Sequence, residues 1–302
     1  MTNLFVYGTL RHVPLLEIVL GRTAAHIDMV VCELPGHAAM AALEGPFPLI
    51  AVSQGHSQAG LALNDLSDLD LERLNFYEGG FDYTLGRETA SNGRAIDVYF
   101  PPKLGVTPNG LWDLHAWESK WAAMTVIAAR EVMSFFGERS TADIVRMFPM
   151  IRLRAAANLN ALTSKHGHTT LRGDVDVISK TREYTEFFAL DAFEVKHERF
   201  DGTKTSTLQR AVFVGTDAAI LLPYDPKRDR VLLVEQMRMG PLGRGDPNLW
   251  QLEPIAGRVD ACEAPQACAI REAEEEAGLT ISHLEQVCEA YPSPGCSTEF
   301  FY

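Results

Sequence analysis

The stretch from Gly257 to Leu279 constrains this chain more than any other, because it specifies a helix and then loads it with carboxylates. Pro265 stands where a first helical turn tolerates proline, and Gly278 stands where a left-handed C-cap ends a helix. Each helical residue advances about 100°. With Ile270 as zero, Ala273 and Ala277 fall within roughly 60° of it and form one apolar face. Glu275, Glu272 and Glu276 then fall at about 140°, 200° and 240°, on the opposite face. Glu272 and Glu276 are like charges at i, i+4, which costs a helix roughly 0.3 kcal/mol, and Arg271 is expected to relieve little of it. Carboxylates gathered without basic partners are what a hard, oxygen-seeking divalent cation requires. A glutamate run taken alone is more often a solvated acidic face. The full order of residues argues against that reading here.

That order is Gly257, five residues, Glu263, seven residues, then Arg271-Glu272-Ala273-x-Glu275-Glu276-x-Gly278-Leu279. It resembles the motif of the Nudix hydrolases at every specified position, with Ala273 small where a larger aliphatic is common. From about residue 174 to 302 the chain resembles the ADP-ribose pyrophosphatase branch of that family. The strand Leu232-Leu233-Val234-Glu235-Gln236-Met237-Arg238 and the approach Leu252-Glu253-Pro254-Ile255-Ala256-Gly257 match its pattern, as does Tyr291-Pro292-Ser293-Pro294, in which Pro294 is the branch's marker.

The resemblance implies roles. The main-chain carbonyl of Ala256 with Glu272, Glu275 and Glu276 would hold Mg²⁺, with Mn²⁺ as an alternative, and these glutamates would be catalytic. Arg210 and Arg238 would contact the phosphate-ribose portion of the substrate, with Glu253 a secondary carboxylate at the binding site. Phe187 would stack on adenine across a homodimer interface, or else serve as a core aromatic. Glu263 is expected to order the loop by pairing with Arg271. Metal ions so held would neutralise the diphosphate and lower the pKa of a bound water, which attacks phosphorus. The implied reaction converts ADP-ribose, or a related nucleoside diphosphate sugar, to AMP and ribose 5-phosphate. In the pyrophosphatases of this branch the catalytic base is a glutamate well beyond the box. Here the sequence ends at Tyr302 inside the strand-like run Glu299-Phe300-Phe301-Tyr302, so a fragment with an incomplete C-terminal domain is expected.

The N-terminal stretch carries a second pattern. Phe5-Val6-Tyr7-Gly8-Thr9-Leu10-Arg11 is a strand running into a glycine turn, followed by Gly60-Leu61-Ala62-Leu63, by Leu71-x-x-Leu74-x-x-Tyr77-Glu78-Gly79, and by Tyr83. In this order the pieces resemble the gamma-glutamylcyclotransferase-like (AIG2-like) family over about residues 1–103. Successive amides of Tyr7, Gly8, Thr9 and Leu10 can form an anion nest for a substrate carboxylate. Glu78, after an apolar helix, would sit at a cavity mouth where desolvation raises its pKa towards that of a useful base. In true cyclotransferases this glutamate moves a proton as a γ-glutamyl amine closes on its own amide. The departure is Thr84-Leu85, where family members often carry a basic residue after the tyrosine.

The remainder organises the chain. Residues 1–103 alternate short strands with glycine and proline, and Asp65 to Leu74 predicts one short helix. Residues 104–172 read as a helical connector, with a continuous helix over Trp112 to Phe136 ended by Gly137. Ser140 and Asp143 then open a second helix, which Pro149 breaks or kinks. His166 and His168 close that stretch as loop residues. From 173 strands return at Ala211–Val214, Ala219–Leu222 and Arg230–Val234, with Pro223-Tyr224-Asp225-Pro226 as the turn between the last two. The expected fold class is α+β: a small β-barrel, the connector, and an incomplete Nudix α/β/α sandwich.

Lys and Arg number 27 against 40 Asp and Glu, a net charge of -13 that disfavours nucleic acid and anionic lipid. Five cysteines without a Cys-x-x-Cys pair fit reduced thiols in the cytoplasm. Expected partners are therefore a nucleotide sugar, a γ-glutamyl compound for the N-terminal unit, and a second copy of the chain. The alternatives are a cyclotransferase whose C-terminal part only binds nucleotide, and a sensor that binds without turnover.

Overall fold

Successive side chains of a strand point to opposite faces, and β1 (Thr2–Val6) uses both. Leu4 and Val6 pack with Leu15, Leu16, Leu63 and Leu74, whereas Phe5 packs with Leu34, Ile50, Ile96 and Val98. The structure is a computed structural model that describes residues 2–79, 83–102, 105–163 and 173–302. The chain divides into two units, Met1–Leu159 and Asn160–Tyr302.

In the first unit β1 is followed by α1 (Val13–Leu20), β2 (Asp28–Ala42), β3 (Pro48–Leu66) and α2 (Asp68–Glu78), then by β4 (Thr84–Thr89), β5 (Ala95–Phe100) and β6 (Pro108–Leu111). The six strands form one sheet in the order β4-β5-β1-β3-β2-β6, in which β1 runs antiparallel to β3 and parallel to β5. Helices α3 (Leu114–Trp117), α4 (Ala123–Ser134) and α5 (Thr141–Thr163) follow. Trp117, Ala122 and Ala129 share the core of Leu4 and Val6, so helices up to Leu159 fall in the same unit as the sheet.

Several expectations need correction here. The short helix begins at Asp68, because Asp65 and Leu66 still belong to the end of β3 or its turn and Ser67 makes a capping box with Asp70. The helix expected over Trp112 to Phe136 is interrupted by a wide turn at Glu118–Ala122 between α3 and α4. Pro149 does not end its helix: α5 runs through it. A proline inside a helix costs about 3 kcal/mol, but Ile144, Met147 and Ile151 are buried at helical spacing, and each such side chain contributes roughly 1.5–3 kcal/mol. The Ser140–Asp143 cap is present, with Ser140 Oγ accepting from the Asp143 amide at 3.2 Å and donating to its carboxylate at 2.7 Å. His166 and His168 lie outside the described residues.

In the second unit β7 (Val175–Thr185), β8 (Ala189–His197) and β9 (Leu208–Val214) form an antiparallel sheet. Next come β10 (Ala218–Leu221), β11 (Tyr224–Asp225), β12 (Arg230–Val231), β13 (Val234–Met237), α6 (Met239–Arg244), β14 (Trp250–Glu253), β15 (Ile255–Arg258) and α7 (Pro265–Ala277). β10 pairs with β15, β11 with β12, and β13 with β14, all antiparallel. The expected turn at Pro223–Pro226 is corrected: Tyr224 and Asp225 are themselves paired, and the chain reverses after them, where Asp229 takes φ 53°. The run expected as one strand from Arg230 is broken at Leu232, whose amide donates to the Pro223 carbonyl, and the two halves pair with different partners. α7 closes a small core of Ala219, Val259, Cys268 and Ala269. The architecture is mixed α+β.

Candidate active site

The glutamate helix α7 begins at Pro265 and ends on Gly278, which takes the left-handed conformation at φ 62°. Its buried face is not the one centred on Ile270, which is 44% exposed, whereas Cys268 and Ala273 are fully buried. The helix lies against β15 through an arc that includes Glu272. A Cβ on Gly257 would sit 1.9 Å from the Glu272 carboxyl carbon, so only glycine admits this approach. The Ala256 amide donates towards Glu276 Oε2 at 3.4 Å. Glu272 therefore faces the strand that carries Ala256, and Glu276, though exposed, lies within reach of the Ala256 amide.

Arg271 also behaves differently from expectation. Its Nε and Nη2 donate to the two oxygens of Glu263, each at 3.0 Å. Its Nη1 donates to Glu272 at 2.7 Å and Glu275 at 3.3 Å, and Nη2 also reaches the Arg258 carbonyl at 3.2 Å. A guanidinium has five donors in a rigid fork, so one residue can serve three carboxylates. These bonds raise Arg271 well above its ordinary pKa and hold Glu263 below the usual carboxylate range. Arg271 thus relieves the crowding that its place on the helix seemed unable to reach. Its pairing with Glu263 is as expected.

Arg238, just after β13, makes a second fork, donating to both oxygens of Glu253 at 2.6–3.0 Å. The Glu253 bonds, with the nearby Glu276 charge, raise its pKa. Arg210, on β9, donates to the neighbouring Gln209 carbonyl at 2.8 Å. Phe187, between β7 and β8, is 53% exposed and so is no core aromatic. The Arg258 guanidinium lies 4.3 Å from the centre of its ring. Burial lowers the Arg258 pKa, and the Glu299 charge opposes that shift. Sequence reasoning missed Arg258. Its one signal is its position directly after Gly257, where the strand that carries the Ala256 carbonyl ends.

Glu272, Glu275, Glu276 and the Ala256 carbonyl are all hard oxygen donors, which is the chemistry a Mg²⁺-like ion takes. Among the described residues no three acidic, histidine or cysteine side chains converge as a ready-made cage. Two of the three glutamates are presently engaged by Arg271. The donor set fits a divalent cation, with Glu272 and Glu275 here paired to Arg271.

The first unit holds a separate cavity of about 470 Å³, which Tyr7, Gly8, Thr9, Leu10 and Glu78 all help to line. Residues Thr9–Arg11 make one helical turn whose first bond is Arg11 N–H to the Gly8 carbonyl at 3.0 Å, and the first amides of such a turn lack intrahelical partners. A Cβ on Gly8 would meet Pro48 Cγ at 2.3 Å, so the turn closes only around glycine. Glu78, at the end of α2, is half-buried, and desolvation pushes its carboxyl up to about 7. Tyr7, Tyr77, Tyr83 and Tyr99 are raised in turn, first by burial and then partly by the Glu78 charge. Tyr7 donates to the Tyr99 carbonyl at 2.9 Å and Tyr99 to Asn75 at 2.6 Å. Of this tyrosine cage, Tyr99 was not singled out in the sequence, because nothing local marks a strand residue as facing a cavity.

Comparison with known proteins bears on both sites. Residues 215–301 match the family model described as NUDIX domain, and residues 4–118 match the one described as Gamma-glutamyl cyclotransferase, AIG2-like. The chain is 37% identical over 128 residues to the ADP-ribose pyrophosphatase of Escherichia coli (strain K12), covering 42% of this chain and 61% of that protein. It is 36% identical over 126 residues to the ADP-ribose pyrophosphatase of Haemophilus influenzae, covering 40% and 57%. It is 34% identical over 116 residues to the GDP-mannose pyrophosphatase of Yersinia pestis (strain Pestoides F), covering 38% and 58%. The chain thus spans less than two thirds of the length of each of these relatives. Both resemblances read from the residues are met by these matches: residues 4–118 are similar to the AIG2-like family and residues 215–301 to the NUDIX family.

Proposed function

We propose that the NUDIX domain of this chain hydrolyses the pyrophosphate of ADP-ribose, or of a related nucleoside diphosphate sugar, to AMP and ribose 5-phosphate. The observation that carries this reading is the seating of Glu272 against Gly257 and of Glu276 at the Ala256 amide, which gathers the box carboxylates at one strand end. Glu272, Glu275, Glu276 and the Ala256 carbonyl would hold Mg²⁺ or Mn²⁺. When bound, such ions neutralise the diphosphate and make a water nucleophilic near neutral pH. Water attacks phosphorus, the bridging P–O bond breaks, and its electrons leave with the departing phosphate. Glu263 holds Arg271 in place, and Arg271 in turn orients Glu272 and Glu275. Arg238 and Arg210 would take the phosphate-ribose portion and Phe187 the adenine, with Arg258 backing its ring.

A homodimer through this domain belongs to the proposal, supported by the exposed Val175, Val177 and Ile178 of β7. Among the described residues no helix is long and apolar enough to cross a membrane. The free cysteines suit a reducing cytoplasm. A net charge of -13 argues against nucleic acid and anionic membrane as partners. The test is incubation with ADP-ribose or GDP-mannose and Mg²⁺, with products resolved by chromatography. Release of the nucleoside monophosphate from either substrate supports the reading, and intact substrates after prolonged incubation contradict it.

A second reading concerns the cavity of the first unit and is favoured by Glu78, whose carboxyl near 7 suits proton transfer at neutral pH. There the α-amine of a γ-glutamyl compound would attack its own γ-carbonyl carbon, forming 5-oxoproline. The amide C–N bond would break, with Glu78 carrying the proton from the attacking amine to the leaving one. Formation of 5-oxoproline by the wild type but not by Glu78→Gln supports it, and formation by both overturns the role of Glu78.

A further inference from the structure

The helices that follow the sheet complete the cavity of the first unit with residues from outside the family match. Residues 4–118 match the cyclotransferase-like family, whereas Met124 and Ala128 of α4 and Phe148 of α5 line the same cavity. Met124 and Ala128 are buried, and Phe148 is half-buried, so it keeps accessible surface. Phe47 and Val106, also half-buried, add to this apolar lining. A Cβ on Gly45 would meet the Phe47 ring at 2.8 Å, so the chain packs closely on that ring. Among the described residues, the charged side chains that line the cavity are Glu44, Glu78 and Arg152. Glu44 is exposed and accepts from the Thr107 amide at 2.9 Å. The Arg152 guanidinium lies 5.7 Å from the ring centre of Trp121, which is not among the lining residues. An arginine held in this way by an aromatic ring lends a cavity the methylenes of its stem.

A γ-glutamyl amide group would not fill this space. At the ~30 Å³ share of a water-sized group, its heavy atoms take up about 270 Å³, and the cavity holds about 470 Å³. The remainder admits about seven further heavy atoms. We propose that the α4–α5 wall is a subsite for the departing amine, and that this amine is apolar, aromatic or branched aliphatic, with no carboxylate of its own. The inference rests on the cyclotransferase reading for the γ-glutamyl part at the Tyr7–Leu10 turn and Glu78, and extends it to the leaving group. The ring closure described above releases that group as the free amine. Phe148, Met124 and Phe47 offer it no hydrogen-bond partner, so a charged terminus would be desolvated there without compensation, whereas an apolar one gains by burial.

The test is calorimetric titration of the full chain with N-benzylglutaramic acid, N-methylglutaramic acid and N-glutarylphenylglycine, none of which has the α-amine needed to cyclise. Wild type is expected to bind the benzyl probe at least about tenfold more tightly than the methyl probe, and more tightly than the phenylglycine probe, which adds a carboxylate. Phe148→Ala is expected to bring the benzyl-to-methyl ratio down several-fold and Phe148→Leu to retain most of it, with thermal melting to verify that each variant is folded. Release of 5-oxoproline from γ-glutamylbenzylamide and γ-glutamylmethylamide tests the parent reading separately. If 5-oxoproline is released but neither binding nor kcat/KM favours the benzyl compound, the apolar subsite is overturned and the cyclotransferase reading stands. Tightest binding of the phenylglycine probe, or a benzyl preference that survives Phe148→Ala unchanged, also overturns the subsite. A benzyl preference in binding without 5-oxoproline release keeps the subsite and removes the turnover. If no probe binds and neither amide is turned over, both fall together.

Discussion

Gly257 is the residue on which the candidate glutamate site turns, because its missing side chain is the space that Glu272 occupies. In Gly257→Ala the new Cβ would lie 1.9 Å from the Glu272 carboxyl carbon. That carboxyl must move, and a misplacement of about 1 Å at a catalytic group can cost 10²-fold. We expect hydrolysis to fall by about 10²-fold with the circular dichroism spectrum unchanged; an unaltered rate would show that Glu272 is not needed where it sits. Glu78 gives a prediction in pH. Burial raises its carboxyl to about 7 from an ordinary 4.5. The folded protein keeps this proton where the unfolded chain has lost it. The linked stability is therefore whole below about 4.5 and is lost as pH rises through about 7. Glu78→Gln cannot ionise, so it should gain stability relative to wild type between about pH 5 and pH 8. Urea unfolding at both values measures this, and a constant difference between the two proteins would contradict the shift.

Glu78 is carried by α2, and α2 is started by a capping box. Ser67 Oγ accepts from the Asp70 amide, and Asp70 accepts from the Ser67 amide at 2.9 Å while pairing with Arg22, also at 2.9 Å. Ser67→Ala should cost about 1 kcal/mol, read as a lower denaturant midpoint at unchanged slope; no change would mean that packing alone holds the helix. This cap shows what the sequence made legible. Local signals such as the Ser140–Asp143 cap, the Gly278 stop and the spacing of the glutamates were readable because each depends on near neighbours in the chain. Pro149 misled because the burial of Ile144, Met147 and Ile151, decided by distant partners, outweighs a local rule. The buried face of α7 was misplaced for a related reason. A helix is oriented by what it packs against, and a carboxylate held by Arg271 and seated on a glycine can lie on the inner side. Arg258 left no signal in sequence beyond its place after Gly257, since it matters only through the Phe187 ring that folding brings beside it.

At the scale of the molecule, two units each have their own core and their own candidate site, with different chemistry demanded of each. The glutamate site gathers oxygen donors of the kind a divalent cation takes, whereas the cavity presents the Glu78 carboxyl and the Tyr7–Leu10 turn. A chelator such as EDTA should therefore abolish pyrophosphate hydrolysis and leave the circular dichroism spectrum intact. Loss of both would show that the ion supports the fold rather than the reaction. The central claim, that the carboxylates of α7 carry out metal-dependent hydrolysis, is tested most directly by the rate of AMP release from ADP-ribose in Mg²⁺, comparing wild type with Glu276→Gln. Removing a ligand should cost at least the ~10²-fold lost when a supporting partner of a metal ligand is removed, with the variant's fold intact. AMP release at the wild-type rate from Glu276→Gln, or none from wild type, would contradict the account.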